Sequence, residues 1–121
     1  MGIQADHVRV ERYVPQSLVL PHCDAVVSHA GSGTMLATLT LGLPQVCLPQ
    51  GADQFLNAAA VASAGAGISL MPGEGGKAPV RDGVAGVLDD VSFRAAAGRV
   101  SSSIASMPSP DDVARVLETF L

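Results

Sequence analysis

Few side chains in this sequence are equipped for chemistry, and most of those few fall together. His29 runs directly into Ala30-Gly31-Ser32-Gly33-Thr34, and a second polar pair, Asp53-Gln54, follows Gly51 and Ala52. Nucleophilic catalysis does not suit this set. Ser32 lacks the G-x-S-x-G surround of a nucleophile elbow, and no Asp-then-His order follows it. Cys23 and Cys47 have no metal-ligand spacing and read as reduced core residues, while His22, beside Cys23 in a turn, reads as a surface histidine. Anion binding does suit it. A glycine turn that opens a helix presents free backbone N–H groups and the positive end of the helix dipole, a natural seat for phosphate. An imidazole at the end of the preceding strand can donate to the same anion.

The elements that must hold these residues can be read on either side. Ala25-Val26-Val27 is an apolar run typical of a strand buried on both faces, and it ends where the glycine turn begins. A helix over 33–42 follows, stopped by Gly42 and Pro44, and then a strand over 45–48 that breaks at Pro49. Asp53 is placed to cap a helix over 54–64, with Phe55, Leu56, Ala59, Ala60 and Ala64 on its apolar face. Ile68-Ser69-Leu70 reads as a further strand. Upstream, the alternation in 7–13 predicts a strand ended by Pro15, and Ser17 a cap for a short helix over 18–20. Downstream, 71–78 is a glycine-rich loop. Pro79 is expected to open a helix with Val80, Val84, Val87 and Leu88 on one face, and Ser92 to cap the next. Asp111 or Asp112 is expected to open the last helix, with Val113, Val116, Leu117 and Phe120 turned inward. Four strands with helical crossovers predict an α/β fold: a doubly wound, Rossmann-like parallel sheet with helices on both faces, whose ligand sits at the strand ends.

Composition sets the outer bounds. The 121 residues make one domain at most, and the 48 % hydrophobic share is dominated by Ala, Val and Leu. A net charge of −4 argues against general nucleic-acid or acidic-membrane binding. No apolar run approaches membrane-spanning length and the start has no signal-peptide core, so a cytoplasmic protein is expected. No Lys or Arg lies between Tyr13 and Gly76, so an anion here must be held mainly by dipoles.

The run YVPQSLVLPHCDAVVSHAGSGTMLATLTLGLPQVCLPQGADQFLNA resembles the nucleotide-sugar-binding half of GT-B-fold glycosyltransferases, and is most similar to the bacterial enzymes that glycosylate antibiotics and other natural products. The order and spacing of VPQ, HAGSGT, GLPQV and DQFLNA carry the resemblance, which extends over roughly 8–121. It implies a set of roles. Tyr13, Val14 and Gln16 would lie on the nucleobase side, although a Tyr13 packed under a loop is an equal alternative. His29, Gly31, Ser32, Gly33 and Thr34 would hold the diphosphate; Gly31 and Gly33 could instead serve backbone dihedrals or close helix packing. Asp53 and Gln54 would bond the hydroxyls of the sugar.

Two departures from the family pattern stand out. Ala37 occupies the place of a glutamate that in plant relatives accepts the ribose hydroxyls, which favours a deoxyribose donor, a dTDP-sugar. Ser28 and Ala30 replace a His and a Gly, and Ala30 would be awkward if that position needs positive φ. The resemblance also implies an acceptor-binding N-terminal domain, carrying the catalytic base, that is absent here together with the first strands of the nucleotide half. The expectation is therefore the donor-binding part of an inverting, metal-independent transferase with no cofactor and no metal site. Its substrates would be a nucleotide-diphosphate sugar and a small-molecule acceptor; the fragment alone would be inactive, and a homodimer is left open. A non-catalytic nucleotide-sugar-binding module is the alternative, with a cell-wall-type transferase or an epimerase well below.

Overall fold

The computed structural model describes residues 5–121; residues 1–4 lie outside it. A short helix α1 (Gln16–Val19) and a 3-10 turn (Leu20–His22) lead into β1 (Val26–Ser28). Then follow α2 (Ser32–Thr40), β2 (Gln45–Cys47), α3 (Gln54–Ser63), β3 (Gly67–Ser69), α4 (Lys77–Asp89), α5 (Val91–Ala105) and α6 (Pro110–Glu118). The three strands form one parallel sheet in the order β1-β2-β3, with Ser28 opposite Cys47 and Cys47 opposite Ser69.

β2 is the centre of the molecule, and all three of its residues are buried. Its alternation supplies both faces of the sheet. Cys47 joins Met35 and Leu39 of α2, Ala58 and Val61 of α3 and Ala97 of α5 in the core. Val46 points the other way, toward Gly83 of α4. Helices thus cover both faces, as a parallel sheet requires. Gln45 is wholly buried, and its amide Nε2 donates to the Met35 carbonyl at 3.4 Å. The strands lie very close at β3: a Cβ on Gly67 would fall 2.0 Å from the Gln45 carbonyl oxygen. Gly42 ends α2 at φ +68, a left-handed position that suits glycine.

Several local expectations are corrected. There are three strands among the described residues, and 7–13 is not one of them: the stretch is exposed, with Val8 45 % and Val10 49 % accessible, and it has no strand beside it to pair with. Alternation alone cannot make a strand without a ladder partner. Ser17 lies inside α1, whose N-cap is Pro15. α2 begins at Ser32, and α4 begins at Lys77, two residues ahead of Pro79. Leu88 of α4 stays 48 % exposed. α5 is capped by Asp90, which accepts from the Ser92 N–H at 2.9 Å. α6 is capped by Ser109 in a reciprocal capping box with Asp112. The core face of α3 is Ala58 and Val61, while Leu56 is 76 % exposed and Ala59, Ala60 and Ala64 face outward. The apolar residues of α6 are not inward either; Phe120, just beyond its end, is 80 % exposed.

Candidate functional site

Parallel pairing brings the C-terminal ends of β1 and β2 side by side, so the turns that leave them share one cleft. The cleft is about 500 Å³ and is lined by Gln16, Ser28, His29, Gly31, Thr34, Leu48 and Gln54, with Val26 and Val27 behind. His29 and Leu48 also line a second hollow of about 320 Å³ that runs to Gln50 and the Met71–Gly76 loop. His29 is exposed at the junction, and its imidazole makes no hydrogen bond to protein among the described residues.

The turn behind His29 has an unusual backbone. Ala30 is wholly buried and sits at φ +66, so the position does need positive φ and an alanine fills it. Its N–H donates to Ser28 Oγ at 3.1 Å. Gly31 is the N-cap of α2 with no side-chain cap, and the first bond of the helix runs from the Met35 N–H to the Gly31 carbonyl at 2.9 Å. The N–H groups of Ser32, Gly33 and Thr34 are thus left as free donors at the positive end of the helix. Neither Gly31 nor Gly33 has positive φ, and a Cβ on either would meet nothing within 4 Å. Neither dihedral need nor close packing explains these glycines. What they leave is open space where a side chain would stand.

The polar groups around the turn are connected. Gln16 Nε2 donates to Thr34 Oγ1 at 2.8 Å, joining α1 to the start of α2. Ser32 Oγ donates to Asp53 Oδ2 at 2.9 Å. Asp53 occupies the N-cap position of α3 without capping it. Its carboxylate has been turned toward the glycine turn, which corrects the expected cap. Gln54 Oε1 accepts from the N–H groups of Gln50 at 2.9 Å and Gly51 at 3.3 Å, which leaves its amide nitrogen as the end available to a ligand.

Tyr13 and Val14 stand apart from this group. They line a separate hollow of about 530 Å³ with Arg9, Glu11 and Val19, and Tyr13 is 82 % exposed, not packed under a loop. Gln16 is the link between regions, since it also borders a hollow of about 450 Å³ beside Ala37, Thr40 and Leu41. A further hollow of about 470 Å³, at Asp24, Pro44 and Arg94, contains none of the expected site residues. Burial pushes the Cys47 thiol up to about 11, which makes it inert at neutral pH. No group of three or more His, Cys, Asp or Glu is placed to hold a metal among the described residues.

This geometry can be set against known proteins. Residues 2–120 match the family model of the erythromycin biosynthesis protein CIII-like C-terminal domain. The chain belongs to this family. It is 41 % identical over 119 residues to the elloramycin glycosyltransferase ElmGT of Streptomyces olivaceus, covering 98 % of this chain and 30 % of that protein. Among solved structures, the spinosyn rhamnosyltransferase SpnG complexed with thymidine diphosphate superposes with a TM-score of 0.89 at 39 % identity, over 98 % of this chain and 32 % of that one. The spinosyn forosaminyltransferase SpnP gives 0.93 at 34 % identity, over 99 % and 32 %. The chain thus spans about a third of the relatives it matches, and its α/β fold is that of their C-terminal part. Among the described residues no helix is long and apolar enough to cross a membrane.

One residue of the site escaped sequence reasoning. Asn57, inside DQFLNA, donates through Nδ2 to the Ala30 carbonyl at 2.9 Å and to Ser32 Oγ at 3.3 Å. It lies one helical turn beyond Asp53, the spacing that places two residues on one helix face, and that was the available signal.

Proposed function

We propose that this chain is the donor-binding part of an inverting, metal-independent glycosyltransferase that moves a sugar from a nucleoside diphosphate, a dTDP-sugar, to a natural-product acceptor. The uncapped start of α2, whose Gly31 and Thr34 line one cleft with His29, is the observation that carries this reading. Thymidine diphosphate bound to the related SpnG supports it. In such a reaction the acceptor oxygen attacks the anomeric carbon, the bond to the diphosphate breaks, and the electron pair leaves on the diphosphate oxygen. The acceptor proton passes to a base on the acceptor-binding part of such an enzyme. Donors already aimed at that oxygen stabilise the growing charge without reorganisation. His29 and the α2 amides are such donors. Asp53 and the free amide end of Gln54 suit sugar hydroxyls, Gln16 the base side of the turn, and Tyr13 with Val14 a nucleobase reaching beyond it.

Calorimetry with dTDP, UDP and GDP tests the reading. The expected order is dTDP first, about tenfold ahead of UDP, with His29→Ala lowering dTDP affinity about tenfold and leaving the urea midpoint in place. Binding of dTDP that ignores His29→Ala would remove His29 from the site. No binding of any diphosphate would overturn the proposal.

A further inference from the structure

Ala30 poses a physical problem that α3 solves. An L-residue disfavours the left-handed region, and Ala30 has neither glycine's freedom nor a polar side chain to hold it there. Its carbonyl instead receives the Asn57 amide across the gap between α3 and the turn. That amide has two N–H groups. One is given to the Ala30 carbonyl, the other is directed at Ser32 Oγ, and the single proton of Ser32 goes to Asp53 Oδ2. Asn57 therefore has no donor left for a ligand, and whatever it does to one it does through these neighbours.

We infer that Asn57 is a positioning residue for the diphosphate turn. By gripping the Ala30 carbonyl it keeps residue 30 left-handed and so sets the direction in which the Ser32, Gly33 and Thr34 N–H groups point. By also holding Ser32 Oγ it fixes that hydroxyl against Asp53, which ties the phosphate side of the cleft to the sugar side. The inference rests on the phosphate reading of the turn. It also makes a claim about the empty turn that holds whether or not a diphosphate binds.

Three variants of this chain test it: Asn57→Ala, the isosteric Asn57→Asp, which sets an acceptor against the Ala30 carbonyl, and Asn57→Ala combined with Ala30→Gly. Amide hydrogen exchange resolved by NMR, without ligand, should rise about tenfold at residue 30 and Met35, whose N–H groups are bonded within the turn, in both single variants and stay unchanged at Val46 and Cys47. The double variant should recover most of the protection, because glycine adopts φ +66 without being held. The dTDP affinity should fall about fivefold to tenfold in the single variants and return in the double. Turn amides indifferent to Asn57, or a rise shared equally by the β2 amides, would overturn the inference, since the second is the mark of general loosening. Should Asn57→Ala not fold, Asn57→Asp gives the same reading. A wild type that binds no dTDP would remove the functional proposal, while the exchange data would still decide the role of Asn57.

Discussion

α3 and α6 are helices of similar length, each with an apolar stripe, and the fold treats them in opposite ways. α3 lies on the sheet: Ala58 and Val61 are nearly inaccessible, and its first residues reach over to the glycine turn. α6 carries the more regular stripe, Val113, Val116 and Leu117, yet these residues are 45 %, 58 % and 61 % exposed. Its own order is local, from the Ser109–Asp112 capping box and the Arg115–Asp112 pair. The difference teaches that periodicity announces a face to be covered without saying what covers it. α3 has β3 and α2 beside it, and among the described residues α6 has no such neighbour.

The contrast can be broken most decisively by volume. Gly67→Ala places a Cβ against the Gln45 carbonyl where the strands are closest, and should destabilise the chain by about 3 kcal/mol in urea unfolding. Leu117→Ala on α6 should stay within about 0.5 kcal/mol of the wild type. Equal costs at the two positions would mean that α6 is packed in solution, and that the contrast is false.

What the sequence disclosed follows the same division. The apolar runs at β1 and β2 and the glycine turn between them were legible because their signals are local: continuous burial, then small residues, then a helix. The 7–13 strand was misread because alternation is half of a pairing, and among the described residues no strand lies beside it. The inward face of α6 was misread for the same reason. Helix starts slipped by a residue or two where neighbouring polar residues compete for the cap, as Asp90 does with Ser92. Asp53 was expected to cap α3 as well as to face the sugar, and the cap was misjudged because its partner Ser32 is near only in space. Asn57 went unassigned because its contact with Ala30 spans 27 positions, which no local pattern records.

The two cysteines offer a subtler probe of the packed and open regions. Cys47 is fully buried on β2, and burial raises its thiol from 9.0 to about 11; Cys23 is half-buried next to the 3-10 turn. In the unfolded chain Cys47 loses its proton near pH 9, whereas in the folded protein it keeps it until about pH 11. Between those values the folded state binds more protons, so stability must fall as pH rises through this window. Cys47→Ser should flatten that part of the pH profile, measured by urea unfolding. Cys23→Ser should leave it unchanged.

The smallest expected effect lies at the edge of the cleft, where Ala37 and Gln16 border one hollow. Ala37 is half-buried on the turn of α2 after Thr34, so a side chain there projects beside Gln16, not over the phosphate donors. A ribose brought to this hollow would present a hydroxyl that the alanine cannot accept, and an unmet hydroxyl costs about 1–3 kcal/mol when water is excluded. The hollow is open, so water recovers part of this, and the discrimination should sit at the low end, about tenfold in favour of dTDP. Ala37→Glu adds a carboxylate that accepts from a diol, and should raise UDP affinity several-fold while changing dTDP little. The diphosphate donors are untouched by the substitution, so an equal loss for both nucleotides would mean the carboxylate merely repels the phosphates. UDP and dTDP that bind alike before and after it would place the sugar ring elsewhere in the cleft.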